Sequence, residues 1–226
     1  GDFRSDECIK LLKQSDIVVT NPPFSLFREY LKQLVSYNKK ILIIGSMNAL
    51  KYANIFPLIK NNKIWLGVSS GAKTYIKPDK TEQIMGNTCW FTNIDHGRRH
   101  QPLPLMTKAE VIKFVTKKPF QKYDNYDAIE VSQVKNIPSD YKGTIGVPIS
   151  FLSKYSPEQF EIIGLGQGNL YRELTPRGLN KEFVNNYYKN GGTGSISEDH
   201  PILGYYNEDG KATIPYMRII IKHKKR

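Results

Sequence analysis

Four consecutive residues, Asn21-Pro22-Pro23-Phe24, have the types and order that can do chemistry in this 226-residue chain. The side-chain oxygen of Asn21 accepts a hydrogen bond from an NH2 group. The rigid Pro-Pro unit aims a second acceptor, the carbonyl of Pro22, at the other hydrogen of the same amine. Proline has no amide hydrogen, so the turn presents acceptors and no competing donor. Phe24 can lie flat against a planar ring. Two acceptors and a stacking face describe a pocket for an aromatic amine, such as N6 of adenine. Drawing electron density toward that nitrogen and fixing its geometry makes it a better attacking group, with no need of a metal or a strong base. The plainer reading is a tight turn, since proline often ends strands and asparagine favours turns.

The elements around the tetrapeptide favour the chemical reading. Asp16–Thr20 reads as a short buried strand, and ligands of open α/β sheets bind outside the carboxyl ends of strands. Ser25 is placed to cap a helix over Leu26–Tyr37, with Leu26, Phe27, Tyr30, Leu31, Leu34 and Val35 on one stripe. Ser5–Gln14 shows the same helical spacing. Ile41–Ile44 is apolar at every position, as in a parallel strand covered on both faces. Tyr52–Lys60 reads as helix, Ile64–Val68 and Thr88–Asn93 as further strands, and Ser69–Gly86 as a polar loop rich in Gly and Lys. After Asp95 the texture changes to Pro, Gly, Asn and Tyr, with strands expected at Gly143–Leu152, Phe160–Leu165 and Tyr216–Lys222. Gly164–Gly168 and Gly191–Gly194 read as loops. The expected organisation is an α/β domain over residues 1–95 and an α+β region over residues 96–226.

Composition is that of an ordinary globular protein, 39% hydrophobic and 24% charged. No run approaches the length of a membrane span, and no signal peptide is evident at the N-terminus. Cys8 and Cys89 are too few for a disulfide framework or a Cys-rich zinc site, so a cytoplasmic setting is expected. His96, His200 and His223 lack ligand spacing, and no metal is expected. Thirty-three Lys and Arg stand against 21 Asp and Glu, a net charge of +12. The excess is spread over the chain and attracts polyanions, of which DNA is the commonest.

The stretches "DIVVTNPPFSLF", "KKILIIGSMNALKY", "NNKIWLG", "CWFTNID" and "KYDNYDAIEV", in that order, resemble the EcoRI-type adenine-specific DNA methyltransferase family. The resemblance covers nearly the whole chain and is strongest over residues 1–165. It implies a Rossmann-like sheet and transfer of a methyl group from S-adenosyl-L-methionine to adenine N6 in double-stranded DNA, within a restriction-modification system. The target base is then rotated out of the helix into the pocket. Asn21, Pro22, Pro23 and Phe24 are the implied catalytic residues. A cognate restriction endonuclease is an implied partner of the system, without a stable complex.

In folds of this class a Gly-Asp-aromatic turn closes the third strand, and Gly1-Asp2-Phe3 resembles it. Asp2 then accepts from the cofactor's adenine amine, and Phe3 packs on that ring. On this reading the chain holds the half of the sheet with strands four to seven. The Gly-rich turn and acidic ribose clamp are not found in it, and Gly164–Gly168 follows the wrong kind of segment. A fragment inactive alone is the expectation.

Base flipping does not choose a sequence; contacts to neighbouring base edges and phosphates do. Residues 96–226 are the natural target-recognition region. Arg98, Arg99 and His100 are candidates for phosphates or guanine edges, Asn125 for adenine, and Tyr123 and Tyr126 for stacking. The alternatives are a solvated pair for Arg98 and Arg99 and an Asx-bonded turn for Tyr123–Asp127. Ser46 and Asn48 are expected on the same rim as Asn21. Lys222–Arg226 reads as a disordered basic tail. Two rival functions remain: a methyltransferase acting on another NH2 group, such as cytosine N4 or RNA adenine, and a DNA-binding remnant without turnover.

Overall fold

The computed structural model describes residues 2–174 and 178–224. The chain divides into two compact units, Gly1–Arg99 and His100–Arg226.

Unit 1 opens with α1 (Asp6–Gln14), whose first turn carries Asp6 and Glu7 and whose N-cap Ser5 accepts from the amide of Cys8. Both features suit the positive end of a helix. β1 (Ile17–Thr20), α2 (Phe27–Ser36), β2 (Lys40–Ser46), α3 (Phe56–Lys60), β3 (Trp65–Ile76) and β4 (Glu82–Thr92) come next. The sheet order is β1-β2-β4-β3, with β1 and β2 parallel and β4 antiparallel to both β2 and β3. Phe27, Leu31 and Leu34 of α2 are buried, as are Ile41 and Ile43 of β2 and Phe91 of β4. The rings of Phe27 and Phe91 pack with centroids 4.9 Å apart. Gly45 lies against that pair, and a Cβ there would sit 2.5 Å from the Phe27 ring.

Several expectations are corrected by the fold. β1 is not a buried strand: Ile17 and Val19 are 49% and 64% exposed. Among the described residues it pairs with β2 alone, so one edge and part of one face are bare. Ser25 does not cap α2. The amide of Leu26 bonds the carbonyl of Pro23 at 3.0 Å, which tightens residues 24–26 into a 3-10 turn. The helix begins only at Phe27. The helix expected over Tyr52–Lys60 is reduced to Phe56–Lys60, with Pro57 in its first turn, where the missing amide costs nothing. Ser69–Gly86 is not a loop. β3 and β4 stay paired as far as Ile76 and Glu82, with register shifts between Leu66 and Ser70 and between Gly71 and Lys73.

The register fixes one rim of the sheet. Thr20 pairs with Ile43 in parallel, Ser46 lies opposite Thr88, and Thr88 lies opposite Gly71. Asn21 and Asn48 therefore come after strands that end on the same side. Residues 72–87 of the β3–β4 ribbon run on past that rim.

Unit 2 holds α4 (Lys108–Glu110), β5 (Ala128–Glu130), β6 (Thr144–Pro148), β7 (Phe160–Leu165), α5 (Asn169–Arg172), α6 (Lys181–Lys189), β8 (Tyr205–Tyr206), β9 (Ala212–Thr213) and β10 (Arg218–His223). Its main sheet has the order β5-β6-β10-β7. Thr107 and Glu110 form a reciprocal capping box on α4, and Val111–Thr116 continues it as a wider π-helical turn. β6 is shorter than Gly143–Leu152, because Ile149–Lys154 coils into a 3-10 turn. Of the basic tail, Lys222 and His223 belong to β10, whereas Lys225 and Arg226 lie outside the described residues. Tyr123, Ala128, Tyr171, Leu203 and Ile220 form one core cluster. Among the described residues no helix is long and apolar enough to cross a membrane.

Candidate active site

A cavity of about 310 Å³ opens at the carboxyl end of β1, lined by Asp2, Phe3, Thr20, Asn21, Pro22, Pro23, Leu26 and Tyr30. Three short segments make it. α1 carries the chain from Asp2 back to β1, the Pro-Pro turn stops the strand at Thr20, and α2 brings Tyr30 round to the same face. The volume lies within the range of small-ligand pockets. Pro22 is buried while Asn21 and Pro23 are exposed. Phe24 is half-buried in the adjoining 3-10 turn and does not line the cavity.

Asp2 and Phe3 enter the cavity already fixed. Arg4 grips both carboxylate oxygens of Asp2, at 2.9 Å from Nε and 2.7 Å from Nη2, and its backbone amide donates to the same group. These donors hold the Asp2 pKa at about 2. Arg4 also reaches Glu29 of α2 at 3.1 Å, tying the N-terminal turn to the helix. Phe3 packs edge-to-face on Tyr30 at 5.0 Å, and its carbonyl accepts from Gln33 at 3.0 Å. Burial pushes the Tyr30 phenol up from its usual range. A second, mainly apolar hollow of about 360 Å³ includes Phe3, Cys8, Leu11, Ile17, Val19 and Tyr30. Phe3 and Tyr30 are common to both cavities. The turn residue Gly1 lies outside the described residues.

Ser46 ends β2, and its hydroxyl accepts from the amide of Asn48 at 3.2 Å. This starts a 3-10 turn that leaves the Asn48 side chain exposed at the rim.

The candidates for reading DNA are placed less uniformly. Arg98 is exposed and donates to the carbonyl of Val68. Arg99 is used inside unit 1. Its guanidinium stacks 4.0 Å from the Trp65 ring and donates to Asn62 at 2.5 Å, and only 10% of its side chain is accessible. The exposed ring of His100 meets Glu158 at 2.7 Å. Tyr123 is buried, with its hydroxyl donating to Glu130. Asn125 is 2% exposed; its amide donates to the Ile202 carbonyl at 2.8 Å and its oxygen accepts from the Gly204 amide at 3.1 Å. Tyr126 packs against the same core. Tyr123 and Asn125 are thus corrected from DNA-facing positions to framework ones, because their polar atoms are spent on buried partners, and Arg99 because its guanidinium is covered against Trp65.

Sequence reasoning misses Arg4, Tyr30 and the face around Phe114. Arg4 stands two residues from Asp2, a local pairing that charge order alone can flag. Tyr30 reads in the sequence only as part of the helix stripe. Phe114 is 60% exposed on the π-helical turn, with the Lys113 ammonium 5.0 Å from its ring. Lys117, in the left-handed region at φ 59°, and Lys118 come directly after it.

The family described as "Adenine-specific methyltransferase EcoRI" matches residues 1–224. Type II methyltransferase M.EcoRI of Escherichia coli is 50% identical over 195 residues, which are 79% of this chain and 59% of that protein. Type II methyltransferase M.MpnI of Mycoplasma pneumoniae is 42% identical over 181 residues, 72% of this chain and 56% of that protein. M.MgeORF184P of Mycoplasma genitalium is 41% identical over the same length and shares. The chain spans somewhat under three fifths of the length of these relatives. No solved structure matches it at a significant level. With a family match over residues 1–224, the chain belongs to the EcoRI-type adenine-specific methyltransferases.

Proposed function

We propose that the full-length protein carrying this chain methylates adenine N6 at a specific site in double-stranded DNA, as the modification enzyme of a restriction-modification system. One observation carries this reading: Asp2 and Phe3 line the same cavity as Asn21 and Pro22, at the carboxyl rim of a partly parallel sheet. An amine-accepting turn and an acidic-aromatic turn meeting in one pocket suit a reaction between two adenine-bearing partners, the target base and the donor. The matching restriction endonuclease acts on the same site in this scheme without a stable complex.

The residues present fit one end of S-adenosyl-L-methionine. Phe3 offers an apolar ring, and beside it the Asp2 carboxylate, which accepts four hydrogen bonds from Arg4, would take the cofactor's adenine amine in exchange for part of that contact. When bound, the donor supplies an electrophilic methyl group on a sulfonium sulfur. The chain's own work lies on the base side. The oxygens of Asn21 and Pro22 accept the two N6 hydrogens, which keeps the nitrogen lone pair from delocalising fully into the ring and directs it outward. Among the described residues no hydrogen bond occupies the Asn21 side chain. As the nitrogen gains the methyl it becomes cationic, and both oxygens interact more strongly with it than with the neutral amine. That difference is what accelerates the step. The surplus proton then leaves from N6 to water. Phe24, two residues after Pro22 in the 3-10 turn beside the cavity and not in its lining, would stack on the base from the cavity's edge.

DNA affinity has its own carriers. Lys113 beside the exposed Phe114, with Lys117 and Lys118 following in the chain and Lys118 paired with Glu208, makes a basic–aromatic stretch in unit 2, where lysines neutralise phosphates and an exposed ring can stack on a base. Arg98, Ser46, Asn48 and His100 remain at the surface for DNA contact. Methylation of duplex DNA by the full-length protein, read as protection from cleavage by the cognate nuclease and as label in N6-methyladenine, tests the proposal. Label in cytosine or only in RNA would move it to one of the other amine substrates.

A non-catalytic DNA-binding role is favoured by one observation, the engagement of Asp2 by Arg4. Calorimetry of this chain with S-adenosyl-L-methionine separates the two, since a micromolar Kd rules out a remnant.

A further inference from the structure

The β3–β4 ribbon is larger than a sheet connection requires. Past the rim marked by Ser46, Thr88 and Gly71, its strands continue as a paired two-stranded arm from Lys73↔Met85 to Ile76↔Glu82. Glu82 lies six positions before Thr88, so the arm reaches about 20 Å beyond the sheet at ~3.3 Å per residue. It departs from the same rim as Asn21, within unit 1. Two register shifts, between Leu66 and Ser70 and between Gly71 and Lys73, lie at its base. Gly71 there has φ +99°, with open space around it. Bulges of this kind bend a ribbon and re-aim the strands beyond them.

The tip has an unusual surface. Ile76 and Ile84 are 75% and 72% exposed. Ile76 pairs with Glu82 and Thr74 with Ile84, so the two isoleucines lie diagonally on one face. The turn is rigid. The amide and hydroxyl of Thr81 both donate to the Asp79 carboxylate, at 2.9 and 2.6 Å, and the amide of Lys77 bonds the Thr81 carbonyl at 2.9 Å. Lys77 and Lys80 are exposed on either side of that turn.

We propose that this ribbon is a DNA-gripping arm, with Ile76 and Ile84 seated in a groove of the duplex beside the base handled at Asn21 and with Lys77 and Lys80 on the flanking phosphates. The inference rests on DNA being the substrate and adds where the duplex lies. A two-stranded ribbon fits the major groove, where apolar side chains meet base edges such as the thymine methyl. The tip itself is charge-balanced, with Lys77 and Lys80 beside Asp79 and Glu82; it is the net charge of +12 on the chain that favours a polyanion over a second, equally basic copy.

All four tip side chains are exposed, so their replacement leaves the fold intact. The test uses Lys77→Ala/Lys80→Ala and Ile76→Ser/Ile84→Ser in the full-length protein, with duplex DNA carrying 2-aminopurine at the target position. The lysine pair should flatten the salt dependence of DNA affinity by nearly two in log–log slope, about 0.9 for each phosphate no longer neutralised. The isoleucine pair should lower kcat/KM for methylation at least tenfold and reduce 2-aminopurine fluorescence in the complex. Unchanged slope and fluorescence, in a protein whose unaltered form binds and methylates DNA, overturn the arm and leave the enzyme reading standing. Loss of self-association in sedimentation with unchanged DNA binding also overturns it, in favour of a second copy. An unaltered protein that binds DNA without methylating, and whose slope still falls with the lysine pair, supports the arm while removing the enzyme reading. Absence of any DNA binding overturns both.

Discussion

Asp2 and Asn21 line one cavity, yet their polar groups stand in opposite conditions. The carboxylate of Asp2 is clamped by Arg4, while the amide of Asn21 is held by no described residue. A preorganised acid beside an open amide is the arrangement expected where one partner is bound persistently and the other only during turnover.

The acid should govern the donor. Asp2→Ala is expected to raise the KM for S-adenosyl-L-methionine about tenfold while DNA affinity stays within threefold. The Asp2 pKa is depressed to about 2, below an unfolded value of about 3.9. Its charge, and any stability that comes with it, is complete above the unfolded value and is lost only as pH falls toward 2. Donor affinity measured from pH 8 to pH 5 should therefore show no step from this residue; a step near neutrality would point to another group.

The buried ion pair of unit 2 should be costly to break. Arg218 makes a two-pronged contact with Glu130 at 2.6 and 3.0 Å, and 10% and 7% of the two side chains are accessible. Glu130→Ala leaves the guanidinium uncompensated and should destabilise unit 2 by about 3–5 kcal/mol in urea unfolding. A change under about 1 kcal/mol would mean that Arg218 finds water or another partner.

Tyr123, in the same network, gives an alkaline signature. Burial, reinforced by the Glu130 charge, raises its phenol above the ordinary value near 10. A raised pKa contributes stability that is full below about pH 10 and declines above it. Tyr123→Phe should remove that part of the alkaline decline in thermal unfolding, and an unaltered decline would place it elsewhere.

Gly45 and Arg99 test the frame of unit 1. A methyl at Gly45 would lie 2.5 Å from Phe27 and 2.8 Å from Phe91, so Gly45→Ala should cost about 1–3 kcal/mol through overpacking. Arg99→Ala should also lower stability, since it removes the Trp65 stack, but leave the salt slope of DNA binding unchanged. Lys113→Ala/Lys117→Ala/Lys118→Ala should do the reverse, lowering the slope by up to about 0.9 per phosphate released with little effect on stability. A slope that responds to Arg99 instead would return that residue to the DNA surface.

How much of the fold and site is legible in the sequence depends on the range of the forces involved. The Pro22-Pro23 turn is legible because proline dictates shape locally, and α2 because Phe27, Leu31 and Leu34 repeat at the helical period. The β3–β4 ribbon is not: strand patterns show in sequence through a covered face, and residues 74–84 have none. Tyr123 and Asn125 are misplaced by sequence reading because what buries them is remote in the chain. Tyr123 shares a core cluster with Leu203 and Ile220, and Asn125 bonds Ile202 and Gly204 across 77 and 79 residues. Polar residues beside an aromatic look like a binding surface until such partners are known.

The most direct measurement is single-turnover methyl transfer to a duplex adenine by the full-length protein with Asn21→Ala, set beside its Kd for the same DNA. If the Asn21 and Pro22 oxygens hold the target amine, the rate falls at least about 100-fold, as when one preorganised partner of a developing charge is removed, and Kd stays within threefold. A variant that transfers methyl at a rate near that of the unaltered protein contradicts the account.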